Sequence, residues 1–61
     1  MFVDFQTPEQ QPLTIETTEV SEVKPASIEG EHVTEIWMKN GRHHFVQGTH
    51  AEVVAKLRAS A

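Results

Sequence analysis

The chain reads as a small α+β protein: an antiparallel sheet of three or four strands with one C-terminal helix packed on a face. Three observations carry that expectation. Leu13 to Glu16 alternates apolar and polar residues, the period of a half-buried strand. Two runs rich in β-branched and aromatic residues, "HVTEIWMK" and "RHHFV", flank Asn40-Gly41. Thr49 followed by Glu52 then opens a short apolar-periodic stretch, the signature of a capped helix.

In chain order, Phe2, Val3 and Phe5 begin a short apolar segment that "QTPEQQP" breaks with two prolines. Residues 1–12 therefore read as an extended N-terminal arm on a single domain spanning 1–61. Val20 and Val23, three apart, suit a helical turn or an irregular strand, and Pro25 is expected to close that element. "ASIEGEH" reads as a loop around Gly30. The Asn40-Gly41 pair predicts a two-residue type I′ turn, since both residues tolerate positive φ. That turn sets Lys39 opposite Arg42, Met38 opposite His43, Trp37 opposite His44, Ile36 opposite Phe45 and Glu35 opposite Val46. A helix over about 50–59, with Ala51, Val53, Val54 and Leu57 as its stripe, is too short to stand alone. It is expected to dock on the Ile36/Phe45 face.

Alternation then assigns Ile36, Met38, His43 and Phe45 to one face of the hairpin. Val33, Glu35, Trp37, His44 and Val46 fall on the other, so neither face is wholly polar. An apolar second face in so small a chain is most simply covered by another chain. The expected contact residues are Phe2, Phe5, Val33, Trp37, His44 and Val46, with tryptophan the natural anchor. The competing expectation is that the N-terminal segment folds over Trp37 within one monomer.

Size and charge bear on partners. A chain of 61 residues buries a thin core, and with no cysteine it has neither disulfides nor thiolate metal sites. Oligomerisation is the remaining route to stability. Residues 1–35 hold eight acidic residues against Lys24, a net −7; residues 36–61 hold Lys39, Arg42, Lys56 and Arg58 against Glu52, a net +3. That asymmetry favours attraction between the halves, and makes the acidic half unsuited to phosphates. No apolar run suits a bilayer span and no leader pattern is evident, so a soluble, cytoplasmic protein is expected.

The histidines do not read as a metal site. His43 and His44 are adjacent and point to opposite faces of a strand. A set of His44, His50 and Glu35 matches no known zinc spacing. His44 is expected beside Trp37 instead. No nucleophile elbow, catalytic triad order or glycine-rich phosphate loop is present, and a pocket of about 300 Å³ or more is hard to build at this length. The expectation is therefore of no enzyme, cofactor, metal or small-molecule substrate.

"LTIETTEVSEVKP", "HVTEIWMKNGRHHFVQGT" and "HAEVVAKL" together resemble, in their order, the small flagellar-operon (FlbD-like, swarming-associated) proteins over Leu13 to Leu57. The resemblance implies a non-enzymatic accessory protein acting through protein contacts, and supplies no functional residue. The chain departs from that family in its acidic N-terminal arm and in Trp37. The functional expectation is an interaction or structural protein that forms a homo-oligomer or serves as an accessory subunit of a larger assembly, a virion among them. The rival is a small regulator binding nucleic acid through Lys39, Arg42, Lys56 and Arg58, or an acidic DNA mimic.

Overall fold

Five strands and one helix follow one another in a computed structural model that describes residues 1–60: β1 (Phe2–Gln6), β2 (Pro12–Glu16), β3 (Val20–Ile28), β4 (Glu31–Met38), β5 (His43–Gln47) and α1 (His50–Ala59). A 3-10 turn at Thr17–Glu19 joins β2 to β3. The fold is α+β, with the strands divided between two antiparallel sheets, β1-β2 and β3-β4-β5, instead of one sheet of three or four.

Residues 1–12 are not a free arm. β1 folds back on β2, pairing Phe2 with Glu16 through Gln6 with Pro12. The two prolines punctuate this hairpin without breaking it. Pro8 occupies the second position of a turn closed by the Gln10 N–H donating to the Thr7 carbonyl at 2.8 Å, where a fixed φ near −65° is wanted. Pro12 starts β2, where a missing N–H costs least. Alternation sends Val3, Phe5 and Ile15 inward and leaves Phe2 72% exposed.

β3 runs unbroken through Pro25. Between Val20 and Glu22 the register shifts by one residue, a bulge at Ser21 that lets Val20 and Val23 both face the core despite their odd spacing. Pro25 pairs with Thr34 on an edge strand, where its nitrogen can face away from the neighbour. The expected loop around Gly30 is a tight turn instead, with Ile28 paired directly to Glu31.

One core results. Val3, Phe5, Ile15, Ile36, Val46 and Val53 form it, with Leu13, Val20, Val23, Met38 and Leu57 packed around them. The β1-β2 hairpin and α1 thus share one face of the three-stranded sheet. Thr34 is fully buried there, and its hydroxyl donates to the Gly48 carbonyl at 3.0 Å, satisfying a group that would otherwise cost about 1–3 kcal/mol. α1 begins where expected. The Thr49 hydroxyl accepts from the Glu52 N–H at 3.2 Å and donates to the Glu52 carboxylate at 3.1 Å. Lys56 ties the helix to β1, donating to the Asp4 carbonyl with its ammonium 4.9 Å from the centre of the Phe5 ring.

Candidate interaction surface

The β4-β5 loop decides which side chains share a face. The Gly41 N–H donates to the Met38 carbonyl at 3.0 Å, and the Met38 N–H donates to the Arg42 carbonyl at 2.8 Å. Lys39, Asn40 and Gly41 therefore form a three-residue loop, with Gly41 at φ +89° and Asn40 outside the left-handed region. This is the type I turn plus glycine bulge, not the two-residue type I′ turn. The Asn40 side-chain oxygen accepts from the Arg42 N–H at 2.9 Å and holds the loop closed.

The extra loop residue slips β5 by one position. Trp37 pairs with His43, Ile36 with His44, Glu35 with Phe45, Thr34 with Val46 and Val33 with Gln47. Because side chains alternate, that slip exchanges the two faces of β5. Val46 joins Ile36 in the core at 0% exposure, and His44 turns to the same side. His43 and Phe45 move to the outer face with Trp37 and Val33.

The expected contact set is accordingly split. Val33 and Trp37 lie on the same face of β4, as its alternation requires, but Val33 is buried at 4% exposure and only Trp37 of the two is open to a partner. Phe5 and Val46 are core residues and unavailable to a partner, at 6% and 0% exposure. His44 lies on the inner side of β5, so it is His43 and not His44 that meets Trp37. Phe2 is exposed on the far side of β1, away from this sheet. The N-terminal strands pack on the opposite face, with Val3, Phe5 and Ile15 in the core, and their Thr7–Gln11 loop reaches the β5 edge beside His43 and Phe45.

Trp37 and His43 stack with ring centroids 4.6 Å apart and planes 29° from parallel. Phe45 meets the His43 ring edge-on at 5.6 Å. The Lys24 ammonium lies 5.6 Å from the Trp37 ring centre and 3.6 Å from the Glu22 carboxylate, while Glu35 lies 3.9 Å from His43. An aromatic row with an ion pair at its flank thus crosses three strands. The Trp37 indole nitrogen is shielded from solvent and meets no acceptor among the described residues.

Away from this face, the charge halves meet little. The Met1 ammonium pairs with Glu16 inside the β1-β2 hairpin, and that hydrogen bond holds the Glu16 carboxyl below its ordinary range. Among the described residues no three His, Asp or Glu side chains come together as a metal site. At least four open surface grooves around the described residues exceed about 300 Å³. One of about 650 Å³ lies between the 3-10 turn and the end of α1, lined by Val20, Leu57, Met1 and Arg58 among others. Another of about 560 Å³ lies between the β1-β2 loop and β5. Both open to solvent. No helix among the described residues is long and apolar enough to cross a membrane. Family models, curated proteins and solved structures offer no match to the chain.

Proposed function

We propose that this is a non-enzymatic interaction protein that self-associates or serves as an accessory subunit, with the outer face of β3-β4-β5 as its contact surface. The observation that carries the reading is the Trp37–His43–Phe45 row, on the face of the sheet opposite the core that the hairpin and the helix share. The thin core supports the same reading, since chains of this size commonly need a second source of stability. The resemblance of Leu13–Leu57 to the small flagellar-operon proteins is in keeping with an accessory role.

The test is sedimentation over roughly ten-fold dilutions around micromolar, with Trp37 fluorescence recorded alongside. A multimer that dissociates on dilution with a red shift of Trp37 is expected. Trp37→Ala, which removes the ring that His43 packs on, should weaken association about thirty-fold, the size of a ~2 kcal/mol hot spot. A monomer at every concentration would remove the self-association reading.

A further inference from the structure

The two edges of the β3-β4-β5 sheet are built unlike. In an antiparallel ladder, alternate residues direct their N–H and C=O groups toward the neighbouring strand and the rest direct them away. The Met38 N–H bonds the Arg42 carbonyl, so Met38–Arg42 is a hydrogen-bonded pair, and Ile36–His44 and Thr34–Val46 follow in the same phase. His43, Phe45 and Gln47 therefore aim their backbone groups off the sheet. On the other side, the same phase makes Val23, Pro25 and Ser27 the outward-directed residues of β3.

That outer edge of β3 is closed to a further strand. Pro25 sits at its centre with no N–H to give, the Ser21 bulge distorts one end, and Glu22 and Lys24 place charge along it. The β5 edge has none of these devices. "HHFVQ" contains no proline, no bulge and no Asp, Glu, Lys or Arg. β1 packs beside it, yet no backbone hydrogen bond joins the two strands among the described residues. The Gln47 side chain donates to the Thr7 carbonyl at 2.8 Å instead, and the groove of about 560 Å³ lies between the Thr7–Gln11 loop and His43–Phe45.

We infer that the β5 edge pairs with the β5 edge of a second copy, antiparallel about a two-fold axis at Phe45, to give a continuous six-stranded sheet. This rests on the self-association reading, moves the self-contact from the outer face to the β5 edge beside it, and names the partner and register. Unpaired backbone groups on alternate residues call for an extended backbone. The set 43, 45, 47 is complementary to itself in antiparallel sense: Phe45 exchanges hydrogen bonds with its symmetry mate, and His43 pairs with the mate's Gln47. A strand without Asp, Glu, Lys or Arg meets its own copy with no carboxylate, ammonium or guanidinium set against its like. The contact is isologous, and with β3 closed by Pro25 the assembly ends at two chains instead of growing as a fibre. It also sets the two Trp37–His43–Phe45 rows side by side on one surface.

Chemical synthesis of the chain with an N-methyl group on Phe45 tests this. The group removes the outward N–H and blocks a partner strand, yet leaves the β4-β5 ladder intact, because Phe45 bonds nothing in β4. Sedimentation should show the unmodified chain as a dimer and the modified chain weakened at least about a hundred-fold, with unchanged circular dichroism. If the modified chain fails to fold, amide exchange of the unmodified protein decides: Phe45 and His43 should exchange at least about ten-fold more slowly when concentrated than when dilute. A dimer unaffected by N-methylation, or amide rates independent of concentration in a protein that does dimerise, would overturn the edge pairing and leave self-association standing. A chain monomeric throughout would overturn both.

Discussion

The Glu29–Gly30 turn and the Met38–Arg42 turn sit at opposite ends of β4 and reverse the chain differently. Glu29 and Gly30 both adopt positive φ, +50° and +83°, and join Ile28 directly to Glu31, as a two-residue type I′ turn does. Asn40-Gly41, the better pair for that geometry, instead lies in a three-residue loop. The sequences have, in effect, exchanged turn types. What differs is the demand each turn must meet. A two-residue loop at Asn40-Gly41 would bring Phe45 inward and expel Val46, whereas Val46 and Ile36 are both fully buried in contact with one core. Forcing the larger Phe45 into the site that Val46 fills at 0% exposure would overpack the core, at a cost of about 1–3 kcal/mol. Packing selects the register, and the turn accommodates it.

The strongest way to break this comparison is to weaken the packing. Ile36→Ala removes the centre of the core and is expected to cost about 2–5 kcal/mol in denaturant unfolding, enough to unfold most of so small a chain. A cost below about 1 kcal/mol would mean that something other than the Ile36–Val46 contact fixes β5. A partial loss accompanied by a weaker Trp37–His43 ring contact, read by proton NMR, would show the register itself loosening.

The same contrast explains what was legible beforehand. α1 was readable to within a residue because its signals, Thr49 and Glu52, act over three positions. Trp37 and Val33 were placed correctly on one face because β4's alternation does not depend on its partner. His44, Val46, His43 and Phe45 were exchanged because β5's assignment does, and the register is set by contacts far apart in sequence. Pro25 misled for a related reason. A proline is legal in a strand if its nitrogen faces an edge, and nothing near Pro25 announces that β3 is one. Pro8 and Pro12 look the same as loop breakers or as hairpin punctuation until Val3, Phe5 and Ile15 are seen to share a core.

A smaller effect sharpens the turn comparison itself. A side chain at Gly41 would meet nothing within 4 Å, so Gly41→Ala isolates the backbone cost of φ +89°. It should destabilise by about 0.5–1 kcal/mol, the left-handed penalty of about 1–2 kcal/mol less about 0.5–1 kcal/mol returned by a less free unfolded chain, with no loss from packing. Thermal unfolding checks it. A neutral result would mean that the loop rearranges toward another turn type, and the ring contact of Trp37 with His43 would then change with it.

The smallest effect comes from the third turn, which is built like the second. Thr7 to Gln11 closes with Gln10 bonding the Thr7 carbonyl at 2.8 Å and the Thr7 N–H bonding the Gln11 carbonyl at 2.8 Å. Gln10 stands where Gly41 stands in the β4-β5 loop, at φ +65°. A glutamine there carries the left-handed penalty that Gly41 avoids, about 1–2 kcal/mol. Glycine would relieve that strain but gives the unfolded chain more freedom, worth about 0.5–1 kcal/mol. The difference predicts that Gln10→Gly stabilises by roughly 0.5 kcal/mol, while Gly41→Gln, the reverse exchange, destabilises by a similar amount. If both exchanges destabilise, Gln10 is held by contacts of its own, and the two loops are alike in backbone but not in what fixes them. Because this loop walls the groove beside β5, the Gln10→Gly chain also separates fold stability from assembly. Its unfolding midpoint should rise while its dimer affinity stays level, since no backbone group of β5 is altered.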